Sequence, residues 1–216
     1  MTKAVMFDMD GLLVDTEPLN VSVVAKVCDE LGIKLTAEEK HYCASGITNR
    51  KFYSEIFNKR KLNFNLDEIL NKTFAIYDEE LKKEPRHFPG AESLPKLLKS
   101  KNYKLALVSG STKNQVEIVL TGLNIKDLFD VVITADDIGS SKPDPEGYLL
   151  AAKQLNVSAQ ECVALEDGAE GVKAAKSAGM KVIGVLSNDQ QDLSLADLVV
   201  KNLTDIDIDK ISNFSL

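Results

Sequence analysis

Tryptophan is missing from these 216 residues, histidine occurs twice and cysteine three times. Cys28, Cys43 and Cys162 are odd in number and their spacing fits no zinc or redox motif, which excludes a disulfide framework. With apolar or helical neighbours they read as small buried or half-buried thiols in a reducing compartment. His41 and His87 stand alone in the sequence and read as surface or packing residues. Positive charge is also short: 26 lysines and arginines face 33 acids, a net charge of -7. No basic stripe is available to neutralise phosphates, so nucleic acid is excluded as a partner. No apolar segment is long enough to span a bilayer, and Asp8 and Asp10 interrupt the one candidate signal sequence. A cytoplasmic protein without membrane contact is therefore expected. Repeats and low-complexity segments are absent too. The hydrophobic fraction of 44% and charged fraction of 27% are ordinary for a globular chain of this length.

What is present begins at Lys3-Ala4-Val5-Met6-Phe7-Asp8-Met9-Asp10-Gly11. An apolar run of strand composition goes straight into two carboxylates one residue apart. Alternation along a strand puts Asp8 and Asp10 on one side and Met9 on the other. Like charges that close raise each other's pKa. Such a pair is explained by a cation between the two, by one carboxyl kept protonated as an acid, or by a solvated turn at a strand end.

The rest of the chain falls into two kinds of pattern. From Thr16, a helix cap with Pro18 in the first turn, Leu19, Val23, Val27 and Leu31 recur at helical spacing up to Gly32. Thr36 opens a second helix. Residues 49–59 carry Phe52, Ile56 and Phe57 on one side, and residues 66–81 form a long amphipathic run. With no convincing strand between them, residues 16–87 are expected to be an all-helical insert. After Pro89-Gly90 the pattern alternates. Strands are expected at 105–108, 131–134, 162–165, 182–185 and 198–200, with helices at 92–100, 114–121, 145–155 and 172–178. Continuous apolar strands separated by amphipathic helices imply a parallel sheet covered on both faces. The expected fold is α/β: a doubly wound, Rossmann-like parallel core of residues 1–15 and 88–216.

In open α/β sheets, ligands bind beyond the carboxyl ends of the strands. The first expected strand ends in Asp8 and Asp10, the second in Ser109-Gly110-Ser111, the third leads through its loop to Lys142, and the fourth ends in Glu166-Asp167. These residue types meet the demands of phosphoryl transfer. Magnesium takes carboxylate and carbonyl oxygens, which Asp8, Asp167 and a backbone carbonyl near Asp10 can offer. A lysine adds a compact charge beside phosphate and nucleophile. A strand-end hydroxyl and backbone amides near Ser109 and Gly110 can take the remaining oxygens. One aspartate then attacks phosphorus while the other protonates the leaving alcohol and later activates water.

The segment from Phe7 to Glu17 (FDMDGLLVDTE) resembles the first motif of the haloacid dehalogenase superfamily of phosphatases. Leu107-Val108-Ser109-Gly110-Ser111 is similar to the second motif, and Ser141-Lys142-Pro143-Asp144-Pro145 to the third. The run from Leu165 to Met180 is similar to the fourth. All four occur in order, and residues 16–87 resemble the small cap that this superfamily inserts after its first strand. The resemblance implies a cofactor, Mg2+, and a role for each residue. Asp8 would be the nucleophile and Asp10 the acid and base. Asp8, Asp167 and the Asp10 carbonyl would hold magnesium, with Glu166 as a further or water-mediated ligand. Ser109, Gly110, Ser111 and Lys142 would bind phosphate. Dehalogenases lack an acid at the second aspartate, so Asp10 argues for phosphatase chemistry.

By motif wording, the nearest groups are sugar- and polyol-phosphate phosphatases and the β-phosphoglucomutases. Gly46-Ile47-Thr48-Asn49-Arg50 is similar to a cap substrate loop, which makes Arg50 a candidate substrate contact. In the mutases that glycine and arginine stand one residue closer, and a cap lysine occurs where this chain has Asp78, Glu79 and Glu80 near Tyr77. The expectation is a monomeric magnesium-dependent phosphatase acting on a small phosphorylated metabolite. A phosphohexomutase is the alternative, followed by a metabolite-binding protein that has kept the fold.

Overall fold

The computed structural model describes residues 1–44, 47–83, 86–186 and 191–212. The chain divides into two compact units, one of Met1–Asp15 with Arg86–Leu216 and one of Thr16–Pro85. Gly46 and Glu84 lie outside the described residues.

The first unit is built on six parallel strands: β1 (Ala4–Phe7), β2 (Lys104–Val108), β3 (Val131–Ile133), β4 (Cys162–Glu166), β5 (Lys181–Val185) and β6 (Leu198–Val200). Their order across the sheet is β3-β2-β1-β4-β5-β6. The chain winds outward from β1 in one direction, then returns to the other side of β1, which makes β1 the point where the winding reverses. Every residue of β1 and β4 is buried, as their uninterrupted apolar runs require for strands covered on both faces. This is the doubly wound α/β sheet expected from the alternating pattern.

Among the described residues five α-helices belong to this unit: α5 (Ser93–Ser100), α6 (Lys113–Gly122), α7 (Glu146–Leu155), α8 (Ala169–Ser177) and α9 (Ile208–Ser212). Strand alternation decides which side chains meet which helices. Ala4, Met6, Ala106, Val108 and Ala164 share a face and pack with Tyr148 and Ala151 of α7 and Val172 and Ala175 of α8. Phe7 points the other way and meets Phe129 edge to face, ring centroids 5.7 Å apart. Burying the larger of these, such as Met6, Val108 and Phe7, contributes about 1.5–3 kcal/mol each. Helix α8 begins at Ala169, three residues before the expected start, so it opens immediately behind Asp167-Gly168.

The second unit contains α1 (Glu17–Glu30), α2 (Ala37–Cys43), α3 (Asn49–Arg60) and α4 (Leu66–Leu81). Thr16 stands at the α1 cap position without the side-chain hydrogen bond expected of it, because its own backbone is already helical at φ -88° and ψ -11°. Thr36 does make a full capping box with Glu39. Val24, Val27, Phe52, Tyr53, Ile56 and Leu70 form its core, and the buried Tyr53 and Thr73 hydroxyls pair at 2.8 Å. All three cysteines of the chain are free and buried. Burial pushes the Cys28 and Cys162 thiols up to about 12 and that of Cys43 to about 11, so they are unreactive at neutral pH. No helix among the described residues is long and apolar enough to cross a membrane.

Candidate active site

The register of the sheet assembles the site. Phe7 lies level with Leu107 of β2 and Leu165 of β4, so the next residues, Asp8 and Glu166, emerge side by side. The Asp8 amide donates to the Leu165 carbonyl at 3.1 Å, extending the ladder one residue past the strand. Alternation carries Asp8 (after Ala4 and Met6) and Glu166 (after Cys162 and Ala164) onto the face covered by α7 and α8.

Lys142 reaches the same face from the loop between β3 and α7. Its Nζ donates to Asp8 Oδ1 at 2.5 Å and to Glu166 Oε1 at 2.6 Å. Asp8, Glu166 and Asp167 each offer a carboxylate oxygen, and these oxygens lie within 4.8 Å of one another. Gly11, at φ +81°, brings the turn after β1 hard against Asp167: a Cβ there would lie 2.0 Å from Asp167 Oδ2. Glycine is needed at that point both for the left-handed backbone and for the space.

Asp10 has a different environment. It is half-buried, and its Oδ2 accepts from Ser111 Oγ at 2.7 Å and from Ser109 Oγ at 3.3 Å. The Ser111 amide donates to Ser109 Oγ at 3.0 Å, which fixes the hydroxyl's direction. The two aspartates of the first motif are thus held by separate partners, one by a cation and the other by hydroxyls.

Electrostatics follow from this crowding. Burial pushes the Asp8 carboxyl well above the usual carboxylate range, Lys142 pulls it down, and Glu166, Asp167 and Asp10 push it up again. Burial opposes the charge on Lys142, but Asp8 and Glu166 outweigh it and hold the ammonium protonated far above its ordinary value. Three carboxylates against one ammonium leave a surplus of negative charge in a buried site. Hard oxygen donors at this separation, with surplus charge, fit a magnesium ion.

Of the residues singled out in the sequence, the structure brings together Asp8, Asp10, Ser109, Ser111, Lys142, Glu166 and Asp167. Gly110 is exposed between the two serines. Arg50 belongs to the helical unit, where it is exposed and donates to Asp67 Oδ1 at 2.7 Å. Two residues of the site escaped the sequence reading. Tyr148 of α7 is fully buried and donates its hydroxyl to Glu166 Oε1, with its ring centroid 5.5 Å from Lys142 Nζ. Gly171 of α8 leaves room for the Glu166 carboxylate, which a Cβ there would approach to 2.1 Å. The available signal for Tyr148 was a phenol in the apolar stripe of an amphipathic helix, a position that demands a polar partner.

The family of haloacid dehalogenase-like hydrolases matches residues 5–185. The chain belongs to that family. Within the haloacid dehalogenase-like hydrolases it is 33% identical over 189 residues to a phosphorylated carbohydrates phosphatase of Thermotoga maritima, covering 85% of each chain. It is 30% identical over 207 residues to hexitol phosphatase B of Escherichia coli, covering 94% of this chain and 93% of that one. Among solved structures, β-phosphoglucomutase from Clostridium difficile superposes with a TM-score of 0.84 at 28% identity, over 99% of this chain and 97% of that one.

Proposed function

We propose that this hydrolase is a magnesium-dependent phosphatase that cleaves a small sugar or polyol phosphate through an aspartyl-phosphate on Asp8. The observation that carries the reading is Lys142 bound to both Asp8 and Glu166 beside Asp167, with Asp10 held apart by Ser111. Asp10, held by the Ser109 and Ser111 hydroxyls while Lys142 is bound to Asp8 and Glu166, is assigned the general-acid role. Relatives named as phosphatases of carbohydrate phosphates and hexitols support the same class of substrate.

In this reading Asp8 attacks phosphorus and the ester P–O bond breaks, while Asp10 gives its proton to the departing alkoxide. Asp10 then takes a proton from water, the water oxygen attacks the acyl phosphate, and inorganic phosphate leaves with Asp8 restored. Lys142 spends two of its three N–H donors on Asp8 and Glu166, and the third is assigned to a phosphate oxygen. Ser109 and the backbone at Gly110 and Ser111 are assigned to the other phosphate oxygens. Asp8, Asp167 and the Asp10 carbonyl would hold the magnesium ion, with Glu166 as a further ligand. When bound, the ion supplies charge neutralisation that lets an anionic nucleophile meet an anionic ester. Residues 16–87 are assigned to the family's cap, and substrate choice to its side chains.

A mutase reading has one observation in its favour, the likeness to β-phosphoglucomutase over nearly the whole chain. Against it stand Asp78, Glu79 and Glu80, where the mutases carry a lysine. The test is phosphate release from a panel of hexose, pentose and polyol phosphates with magnesium. Release is expected for at least one member, abolished by EDTA and reduced at least roughly 10³-fold in Asp8→Asn. Isomerised sugar phosphate without free phosphate would establish the mutase instead. No turnover of any member would overturn both.

A further inference from the structure

The carboxylate that holds Lys142 is itself held. Glu166 Oε1 accepts from Lys142 at 2.6 Å and also from the Tyr148 hydroxyl. Tyr148 reaches it from α7, on the sheet face where alternation points Glu166. On the α8 side the carboxylate fits against the helix backbone at Gly171: the space a Cβ would take there is filled by Glu166 Oε1, Oε2 and Cδ, at 2.1–2.2 Å from it. The Tyr148 ring also lies against the Lys142 ammonium, within cation–π range. A phenylalanine would fill this apolar layer equally well. The phenol oxygen, fully buried, is explained by the bond to Glu166.

We infer that Tyr148 is a positioning residue for the phosphatase reaction. Its hydroxyl fixes Glu166 Oε1 toward Lys142, and its ring backs the ammonium, so that Lys142 is aimed at Asp8 and at the incoming phosphate. The inference rests on the reading above and adds a residue to it. Tyr148 contacts Glu166 and Lys142, and it is assigned its role through those two side chains. Removing the hydroxyl should therefore slow the chemical step and leave substrate binding alone, because Lys142 stays charged but loses its fixed direction.

The experiment uses the full chain, the best ester of the panel and manganese, whose free spectrum disappears on binding. Tyr148→Phe is expected to lower kcat about tenfold, with KM within about twofold of wild type and manganese affinity within about threefold. In a Glu166→Ala background, which removes the acceptor, the same substitution should change kcat by less than about twofold, since the hydroxyl acts through that carboxylate. An unchanged kcat in Tyr148→Phe overturns the inference, as does an equal loss in both backgrounds. A more than tenfold loss of manganese affinity, with kcat restored at saturating metal, overturns it too, by moving the effect to the cation. Should circular dichroism show Tyr148→Phe unfolded, 3-fluorotyrosine at position 148 keeps the ring and alters only the strength of the hydroxyl's donation. A kcat change at constant KM then sustains the inference, and unchanged kcat ends it. Wild-type protein inactive on every ester of the panel fells the phosphatase reading together with this one, whereas active wild type with an equally active Tyr148→Phe fells this one alone.

Discussion

Each unit of the molecule carries a carboxylate buried to the same degree, and the two are treated in opposite ways. Asp8 at the sheet edge is 6% exposed and Glu39 in the helical unit 7%. Burial raises both. Around Glu39 the cost is more than met: Oε2 accepts from the Thr36 amide at 2.9 Å and from Arg60 at 2.6 Å. Lys59 lies 3.8 Å from Oε1. Its pKa ends below the ordinary glutamate value. Around Asp8 one lysine is set against three further acids, and the carboxyl ends well above its ordinary value. The same burial serves stability where donors outnumber acids, and stores unmet charge where they do not. Surplus like charge held in place is a local rule broken, and such breaks mark functional sites.

The comparison is broken most forcefully at Lys142. Lys142→Ala leaves Asp8, Glu166 and Asp167 facing one another with no ammonium among them. Turnover should fall about 10²–10³-fold. Unfolding stability in EDTA should fall by roughly 3 kcal/mol, as when one partner of a buried pair is removed. Magnesium should restore more stability to the variant than it adds to wild type, because it replaces the missing charge. Urea unfolding with and without EDTA measures both effects. A variant as stable as wild type in EDTA would mean that the three carboxylates do not share one field.

The comparison is sharpened at Glu39. Glu39→Gln keeps the reciprocal capping box, since glutamine can also reach the cap amide, but loses the charge paired with Arg60. About 1 kcal/mol of stability should go, the order of one charged hydrogen bond. The sign of the pH dependence is fixed by the lowered pKa of the folded state. Glu39 contributes its full stabilisation above the ordinary value of 4.5 and loses it as pH falls from there through the lower folded value. Unfolding curves of wild type and variant should therefore differ at pH 6 and converge on acidification. A gap that widens toward low pH would contradict the assignment. Turnover per folded molecule should not change, in contrast to Lys142→Ala.

The legibility of the sequence divides along the same line. The doubly wound sheet could be read because buried parallel strands are uninterrupted apolar runs, and 162–165 or 198–200 stand out between polar loops. The strand ends could be read as one constellation because parallel topology forces Asp8, Ser109 and Glu166 to a common edge. Side-chain partners could not. Nothing in Ser109 or Ser111 tells that their hydroxyls donate to Asp10, since hydrogen-bond direction depends on rotamers that only the packed site selects. Tyr148 and Glu166 are 18 residues apart and meet because α7 crosses the sheet face that alternation gives to Glu166. Gly171 stands one residue before the helix expected at 172–178 and inside the observed α8. The reason for a glycine there is the neighbouring carboxylate, a contact between helix and strand end.

The smallest effect belongs to Arg50, where motif and structure offer different partners. The resemblance of residues 46–50 to a cap substrate loop makes Arg50 a candidate substrate contact. In the structure its guanidinium pairs with Asp67, and both side chains are more than half exposed, at 61% and 73%. An exposed pair of this kind contributes about 0.2–1 kcal/mol at most, because water screens it and two long side chains must be held. Arg50→Ala should therefore change stability by less than about 1 kcal/mol. Its kinetics separate the two partners. If Asp67 is the only group Arg50 serves, KM and kcat for the best ester of the panel stay within about twofold. If the arginine takes an oxygen of the substrate in the working enzyme, KM rises about tenfold or more, and Asp67→Asn, which frees the guanidinium, lowers it. A rise in KM from Arg50→Ala with no response to Asp67→Asn would mean that the ion pair does not compete with substrate at all, and that Arg50 reaches it from a different rotamer.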